Sequence, residues 1–157
     1  MWRAAVVAAW IAWPGVTWPA IKARIAKEFP NVKPISTAEL AKAEPKPVLL
    51  DVRTAAEFDV SHLTGARRVD PEAAAASVAL PKDTPIVTYC SVGYRSAKFA
   101  QRLHDAGFMN VRNLDGSIFQ WANEGRPTEP STKVHPFNKK WGALLDAALR
   151  SEVREAQ

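Results

Sequence analysis

The chain has 157 residues, of which 47% are hydrophobic, 9% aromatic and 24% charged, the balance of one globular domain with a real core, which excludes general disorder. Its single cysteine excludes an internal disulfide, so packing must supply the stability and the redox compartment stays open. The formal charge of +5 favours anionic partners in general, but without a long Lys/Arg cluster, zinc-finger spacing or an aromatic-basic repeat it makes no case for nucleic acid.

The first 21 residues, MWRAAVVAAWIAWPGVTWPAI, carry only Arg3 and Thr17 as clearly polar side chains. The uninterrupted apolar run, Ala4 to Trp13, is ten residues, and Pro14, Gly15 and Pro19 would break a spanning helix, which needs about 20 residues. Three readings stay open. One is an export signal or anchor, with Arg3 as its positive end but no clean cleavage site. The others are an interfacial segment with four tryptophans (Trp2, Trp10, Trp13, Trp18) and a helix covering an apolar surface of the domain. The first places the protein in the periplasm or at a membrane in preference to the cytoplasm.

Ala20 to Phe29 alternates apolar and basic residues in a helical pattern that Pro30 ends. Residues 1–31 thus form an apolar segment and a short helix, and the domain proper runs from 32 to 127. Its strand-like and helix-like segments alternate, the pattern of a parallel sheet with helices on its faces. Ser36 and Glu39 have capping-box spacing for a helix through Leu40 to about Ala43. VLLDVR (48–53) reads as a buried strand, followed by a helical turn at 55–58 and a loop at His62 to Gly65. Asp70-Pro71-Glu72 has the chemistry of a helix start, which predicts a helix over Ala73 to Ala79. PKDTP (81–85) is a turn, and PIVTYC a strand ending at Cys90. Ser96 to Ala106 has helical spacing and Gly107 closes it. Asn110 to Leu114 reads as a strand, and Ser117 with Gln120 as a second capping box opening a helix toward Trp121. Residues 128–157 read as a Pro/Thr/Ser-rich linker to Pro136 and an amphipathic helix from about Trp141 to Val153.

Cys90 sits where a strand ends and a helix begins, in YCSVGYRSAKFAQRL (89–103). The free N–H groups of such a helix and the positive end of its dipole make an anion cradle. Gly93 permits a positive φ, so successive amides of Ser91, Val92, Gly93, Tyr94, Arg95 and Ser96 can turn toward one point. Together with Arg95 they would favour thiolate over thiol, so the nucleophile needs no histidine base. Arg95 also offers a planar fork that suits a substrate oxyanion. Most isolated cysteines are inert apolar fillers; the glycine, the arginine and the helix start weigh against that here.

LLDVRTAAEF (49–58), SHLTGA (61–66), IVTYCSVGYRSAKFAQRLHDAGF (86–108) and NLDGSIFQW (113–121) together resemble the rhodanese family of sulfurtransferases in order and spacing, over about residues 32 to 127. The resemblance implies an α/β, rhodanese-like fold: a five-stranded parallel sheet flanked by helices on both faces, with the cysteine loop at its carboxyl edge. It implies no cofactor and no metal. It also implies a persulfide mechanism, in which Cys90 takes the outer sulfur of a small sulfur-containing anion such as thiosulfate and passes it to cyanide or a thiol. Asp51, Arg53 and Glu57 match a supporting charge network, with Glu57 equally readable as a surface ion pair. His62 matches a position expected to be structural, and Trp121 is expected in the core more than at a substrate wall. Asp115-Gly116-Ser117 departs from the family's glycine pair, and the loop lacks the Cys-Gly-Ser-Gly form of mercaptopyruvate users.

Two rival readings remain. Phosphatases and arsenate reductases use a C-x5-R loop around a tetrahedral oxyanion, whereas four residues separate Cys90 from Arg95 here, a ring better sized for one sulfur atom. A binding or sulfur-carrier module that works only within a complex is the other. Oligomeric state, and the roles of 1–19 and 134–145, are not readable from the sequence.

Overall fold

The computed structural model describes residues 16–153. The segment preceding Val16, with the three readings of its apolar run, lies outside the described residues. Among those described, no helix is long and apolar enough to cross a membrane.

A five-stranded, wholly parallel sheet forms the centre. Its strands are β1 (Lys33–Ile35), β2 (Val48–Asp51), β4 (Arg67–Arg68), β5 (Ile86–Tyr89) and β6 (Val111–Leu114), in the spatial order β1-β6-β5-β2-β4. Two short strands, β3 (His62–Leu63) and β7 (Thr128–Glu129), pair antiparallel beside it. The helices are α1 (Trp18–Glu28), α2 (Thr37–Lys42), α3 (Ala55–Val60), α4 (Tyr94–Asp105), α5 (Ser117–Asn123) and α6 (Lys139–Gly142). Because side chains alternate along a strand, β5 feeds two cores. Val87 and Tyr89 join Ile21 of α1, Leu40 of α2 and Phe119 of α5; Ile86 joins Phe99 and Leu103 of α4. The apolar run of β5 is buried at all four positions, as a central parallel strand requires.

The Ser36–Glu39 capping box forms as expected, and Thr54 with Glu57 makes a second one that opens α3. Elsewhere the local signals are overridden. The helix expected over Ala73 to Ala79 is only a 3₁₀ turn, Ala75–Ser77. Asp70 Oδ1 accepts from the Glu72 N–H at 2.8 Å, an Asx-type bond, and Arg102 Nη1 donates to the carbonyls of Pro71 (2.8 Å) and Ala73 (3.4 Å). Those carbonyls are the acceptors a first helical turn would need, and a short alanine run has no apolar stripe to offset nucleation.

Ser117 is not a cap. Gly116, at φ 74°, caps α5, while buried Ser117, at φ 49°, turns its hydroxyl to the cysteine loop. The His62 loop contains β3. The 128–136 stretch, expected as a linker, contributes β7 and the fully buried Val134, whose N–H donates to Leu149 O at 2.7 Å. The expected helix from Trp141 to Val153 is reduced to α6 and a 3₁₀ turn, Ala147–Leu149, because Leu145 turns into the core and Asn123 anchors the chain on either side of it. Asn123 donates to Leu144 O and accepts from the Asp146 N–H, both at 2.9 Å.

Candidate active site

The last residue of β5 delivers the chain to Cys90, and α4 starts four residues later. Gly93 caps α4 at φ 110°, a backbone region that a side chain disfavours. That turn aims its own N–H at the cysteine: Gly93 N lies 3.2 Å from Cys90 Sγ, and Ser96 Oγ lies 3.4 Å from it. Cys90 is 1% exposed.

The loop is held by its carbonyls. Cys90 O and Ser91 O accept from the N–H groups of Ile118 and Phe119, and Gly93 O from Asn113 Nδ2 at 3.0 Å. Ser117 Oγ accepts from the Cys90 N–H at 3.2 Å. With the carbonyls tied back, the N–H groups of Ser91, Val92, Tyr94, Arg95 and Ser96 have no acceptor among the described residues. They are donors of the kind a helix N-terminus offers to an anion.

The charged residues fall into two separate pairs. Glu57 is buried, and its carboxylate takes both terminal nitrogens of Arg95, at 2.9 and 2.8 Å, plus the Ser91 hydroxyl at 3.1 Å. Burial alone would raise the Glu57 carboxyl; the hydrogen bonds and charge of Arg95 outweigh it and hold it down to about 2. Burial likewise works against the Arg95 cation, and Glu57 and Cys90 more than compensate, so its acidity is further weakened. Arg95 is thus a brace between α3 and the loop, with its fork occupied, whereas the sequence pointed it toward substrate.

Asp51 and Arg53 form the second pair, fully buried, with Arg53 Nη2 2.6 Å from Asp51 Oδ2 and 2.7 Å from Ser61 O. The Arg53 guanidinium also lies over the Tyr89 ring, 5.8 Å from its centroid. His62 stands apart, stacked on Phe58 at 3.9 Å with Nδ1 3.0 Å from Phe58 O. Trp121 is in the core, its Nε1 donating to Pro127 O at 2.9 Å. Among the described residues no cluster of three or more His, Cys, Asp or Glu side chains could hold a metal ion.

A pocket of about 240 Å³ opens over Cys90, Ser91 and Val92. Its walls come from Ile21 and Arg24 of α1, Tyr94 and Arg95 of α4, Phe137, and Trp141 of α6.

The family model for the rhodanese-like domain matches residues 36–124, a span that holds all four connections between the sheet's strands, the cysteine loop and both charged pairs. The chain belongs to the rhodanese-like domain family. The rhodanese-like domain is 36% identical over 86 residues to a probable adenylyltransferase/sulfurtransferase MoeZ of Mycobacterium tuberculosis, covering 52% of this chain and 22% of that protein. The chain is 34% identical over 132 residues to a tRNA uridine(34) hydroxylase of Staphylococcus aureus, covering 78% of this chain and 40% of that protein. The matched stretch is thus well under half the length of these curated relatives. Among solved structures, the rhodanese-like domain of an Anabaena sp. protein is 30% identical, with a TM-score of 0.54 over 61% of this chain and 74% of that one. A Rhodopseudomonas palustris protein described as a possible tyrosine phosphatase is 22% identical, with a TM-score of 0.58 over 74% and 99%, a likeness of fold alone.

Several contributors to the rhodanese-like site escaped the sequence reading. Thr54-x-x-Glu57 has a capping-box spacing that was legible and would have placed Glu57 at a helix start. Asn113, a polar residue inside a strand pattern, was a signal for a buried hydrogen bond. Ile21, Arg24, Phe137 and Trp141 carried none, since only the folded chain brings them to Cys90.

Proposed function

We propose that this rhodanese-like domain is a sulfurtransferase that carries a sulfane sulfur as a persulfide on Cys90. The observation that carries the reading is the pair of donors on Sγ, the Gly93 N–H and the Ser96 hydroxyl, beside loop N–H groups with no protein acceptor. Such a site donates hydrogen bonds to the attacking sulfur, and then to a persulfide anion one atom further out. A relative with sulfurtransferase in its name supports the class.

The donor is a small sulfur-containing anion such as thiosulfate. Cys90 thiolate attacks its outer sulfur; the Sγ–S bond forms, the donor's S–S bond breaks, and the electron pair leaves with sulfite. Cyanide or a thiol then attacks the outer sulfur, and the electron pair of the breaking Sγ–S bond returns to Cys90. Two half-reactions through one covalent intermediate give ping-pong kinetics. Ser91, Val92, Gly93, Tyr94, Arg95 and Ser96 bind the anion by their N–H groups. Glu57 positions the loop through Arg95 and Ser91, while Asp51 and Arg53 fix the strand end beside it; His62 has a structural role.

Incubation with thiosulfate should add one sulfur to Cys90 by mass spectrometry, and cyanide should discharge it as thiocyanate. If Cys90→Ser gives the same thiocyanate yield as wild type, the proposal is wrong. The curated relatives hold the matched stretch within longer proteins, which favours a second reading, a carrier with a dedicated acceptor. A persulfide that forms on Cys90 but resists cyanide would select it.

A further inference from the structure

All 16 acidic side chains of the chain lie outside two of its segments. Residues 1–27 hold Arg3, Lys22, Arg24 and Lys27 and no Asp or Glu, and residues 130–145 hold Lys133, Lys139 and Lys140, again with none. Neither segment belongs to the span 36–124 that the family model matches. Although more than a hundred residues apart in sequence, the two meet on one face of the molecule. Ile21 and Arg24 of α1 stand with Phe137 and Trp141 around the mouth of the Cys90 pocket, and Trp18 and Leu144 pack on the same apolar cluster.

What this face exposes is apolar and basic. The helix α1 buries Ile21 and turns Pro19, Ala20, Ala23, Arg24 and Lys27 outward. Glu28, at its far end, is held by Arg24 Nε at 2.8 Å and by the Tyr94 hydroxyl, and Lys22 is drawn to Asp115 at 2.9 Å. Phe137 is 41% exposed at a φ of 66°, rare for an aromatic residue, with its ring braced by the Arg95 guanidinium 4.8 Å away. Exposed Lys139 and Lys140 follow, and the Lys140 Nζ lies 5.5 Å from the ring of partly buried Trp141. Lys27, Lys139 and Lys140 have no ion-pair partner among the described residues.

Aromatic rings and small apolar side chains with lysines beside them match a lipid headgroup layer, where the ring sits at the acyl boundary and the ammonium reaches phosphate. The sequence that leads into α1 continues this composition. Residues 1–15 carry Trp2, Trp10, Trp13 and a ten-residue apolar run, with Arg3 as their one charge. A run of that length is too short to span a bilayer and suits its surface. A polyanion such as RNA would meet the lysines and leave Pro19, Ala20 and Ala23 in water.

We propose that this face, built from α1 and the 137–141 turn, docks on an anionic lipid bilayer, with residues 1–15 entering the headgroup layer beside it. Phe137 and the α1 alanines meet the acyl boundary, and Arg24, Lys27, Lys139 and Lys140 meet lipid phosphates. The mouth of the Cys90 pocket then opens at the membrane surface. The docking face does not depend on the chemistry at Cys90, so it stands or falls apart from the sulfurtransferase reading.

The test floats the full chain with vesicles of phosphatidylcholine, pure or with about 30% phosphatidylglycerol. Partitioning should be at least about tenfold stronger on the anionic vesicles, and Lys139→Glu/Lys140→Glu should lose most of that margin, with far-UV circular dichroism confirming that the variant folds. Orientation is read in Cys90→Ser, with an environment-sensitive fluorophore on one introduced cysteine. On anionic vesicles a label at Ala23→Cys should shift to the blue, and one at Met109→Cys, 75% exposed beyond the opposite end of α4, should not. A chain that floats with the Ala23→Cys label unchanged would be held by residues 1–15 alone, which overturns the docking face. Equal partitioning on the two vesicle types, or by wild type and the double variant, would also overturn it, as would binding to an RNA oligonucleotide with none to vesicles. A blue shift at Ala23→Cys that needs no vesicles and grows with protein concentration would instead assign the face to a second copy of the chain.

Discussion

Glu57 is the residue on which the loop's geometry turns. It caps α3, accepts both terminal nitrogens of Arg95 and reaches the Ser91 hydroxyl from a position 2% exposed. Its folded-state carboxyl is lowered from 4.5 to about 2, so the stability it contributes is fully present above 4.5 and lost as pH falls through 2. Glu57→Gln should therefore cost about 3 kcal/mol at neutral pH, and the gap to wild type should close as the pH drops through that window. Urea denaturation of both proteins from pH 7 to pH 2 measures it. A constant gap across the range would mean that Glu57 acts through packing and not through its charge. The same variant should slow persulfide formation on Cys90 more than it alters the final extent, because Arg95 and Ser91 lose their common anchor while the nucleophile is retained.

At the scale of elements, β5, the cysteine loop and α4 form one device whose critical joint is Gly93. Its φ of 110° costs a non-glycine residue about 1–2 kcal/mol, although space is adequate, since a Cβ would meet Ile25 Cδ1 at 3.4 Å. Gly93→Ala should thus lower stability by about that amount and, by re-aiming the N–H on Cys90 Sγ, slow sulfur uptake at least tenfold in a single-turnover mass assay. Uptake at the wild-type rate would show that the Gly93 N–H contributes nothing to the anion. This joint was legible in the sequence, because a glycine between a strand and an amphipathic helix has a defined conformational use. Other elements were not. The Asp70-Pro71-Glu72 start signal is sound chemistry, but Arg102, some thirty residues away, claims the carbonyls that a helix would need. Ser117 has capping-box spacing, yet its hydroxyl accepts from the Cys90 N–H and donates to Leu114 O. In both cases a long-range polar partner outbids a local one.

Across the whole molecule, the strands and the cysteine loop each carry a local sequence signal, whereas the pocket over Cys90 joins α1 to a segment more than a hundred residues later. No local pattern could announce that meeting, which is why 134–145 had no readable role. The chain from 128 to 153 is part of the core: Val134 and Leu145 are buried with Ile118 and Phe119 of α5, the helix whose first N–H groups hold the loop carbonyls. Leu145→Ala should then cost about 3 kcal/mol, as a core truncation does, while Val153→Ala, 43% exposed, should stay within about 0.5 kcal/mol. In urea the Leu145→Ala midpoint should move without a change in slope, the mark of one cooperative unit. A loss below about 1 kcal/mol, or a second transition, would make this segment a separable flap. Phe137 and Trp141 would then line the pocket over Cys90 only part of the time, through a local opening equilibrium in place of a fixed wall.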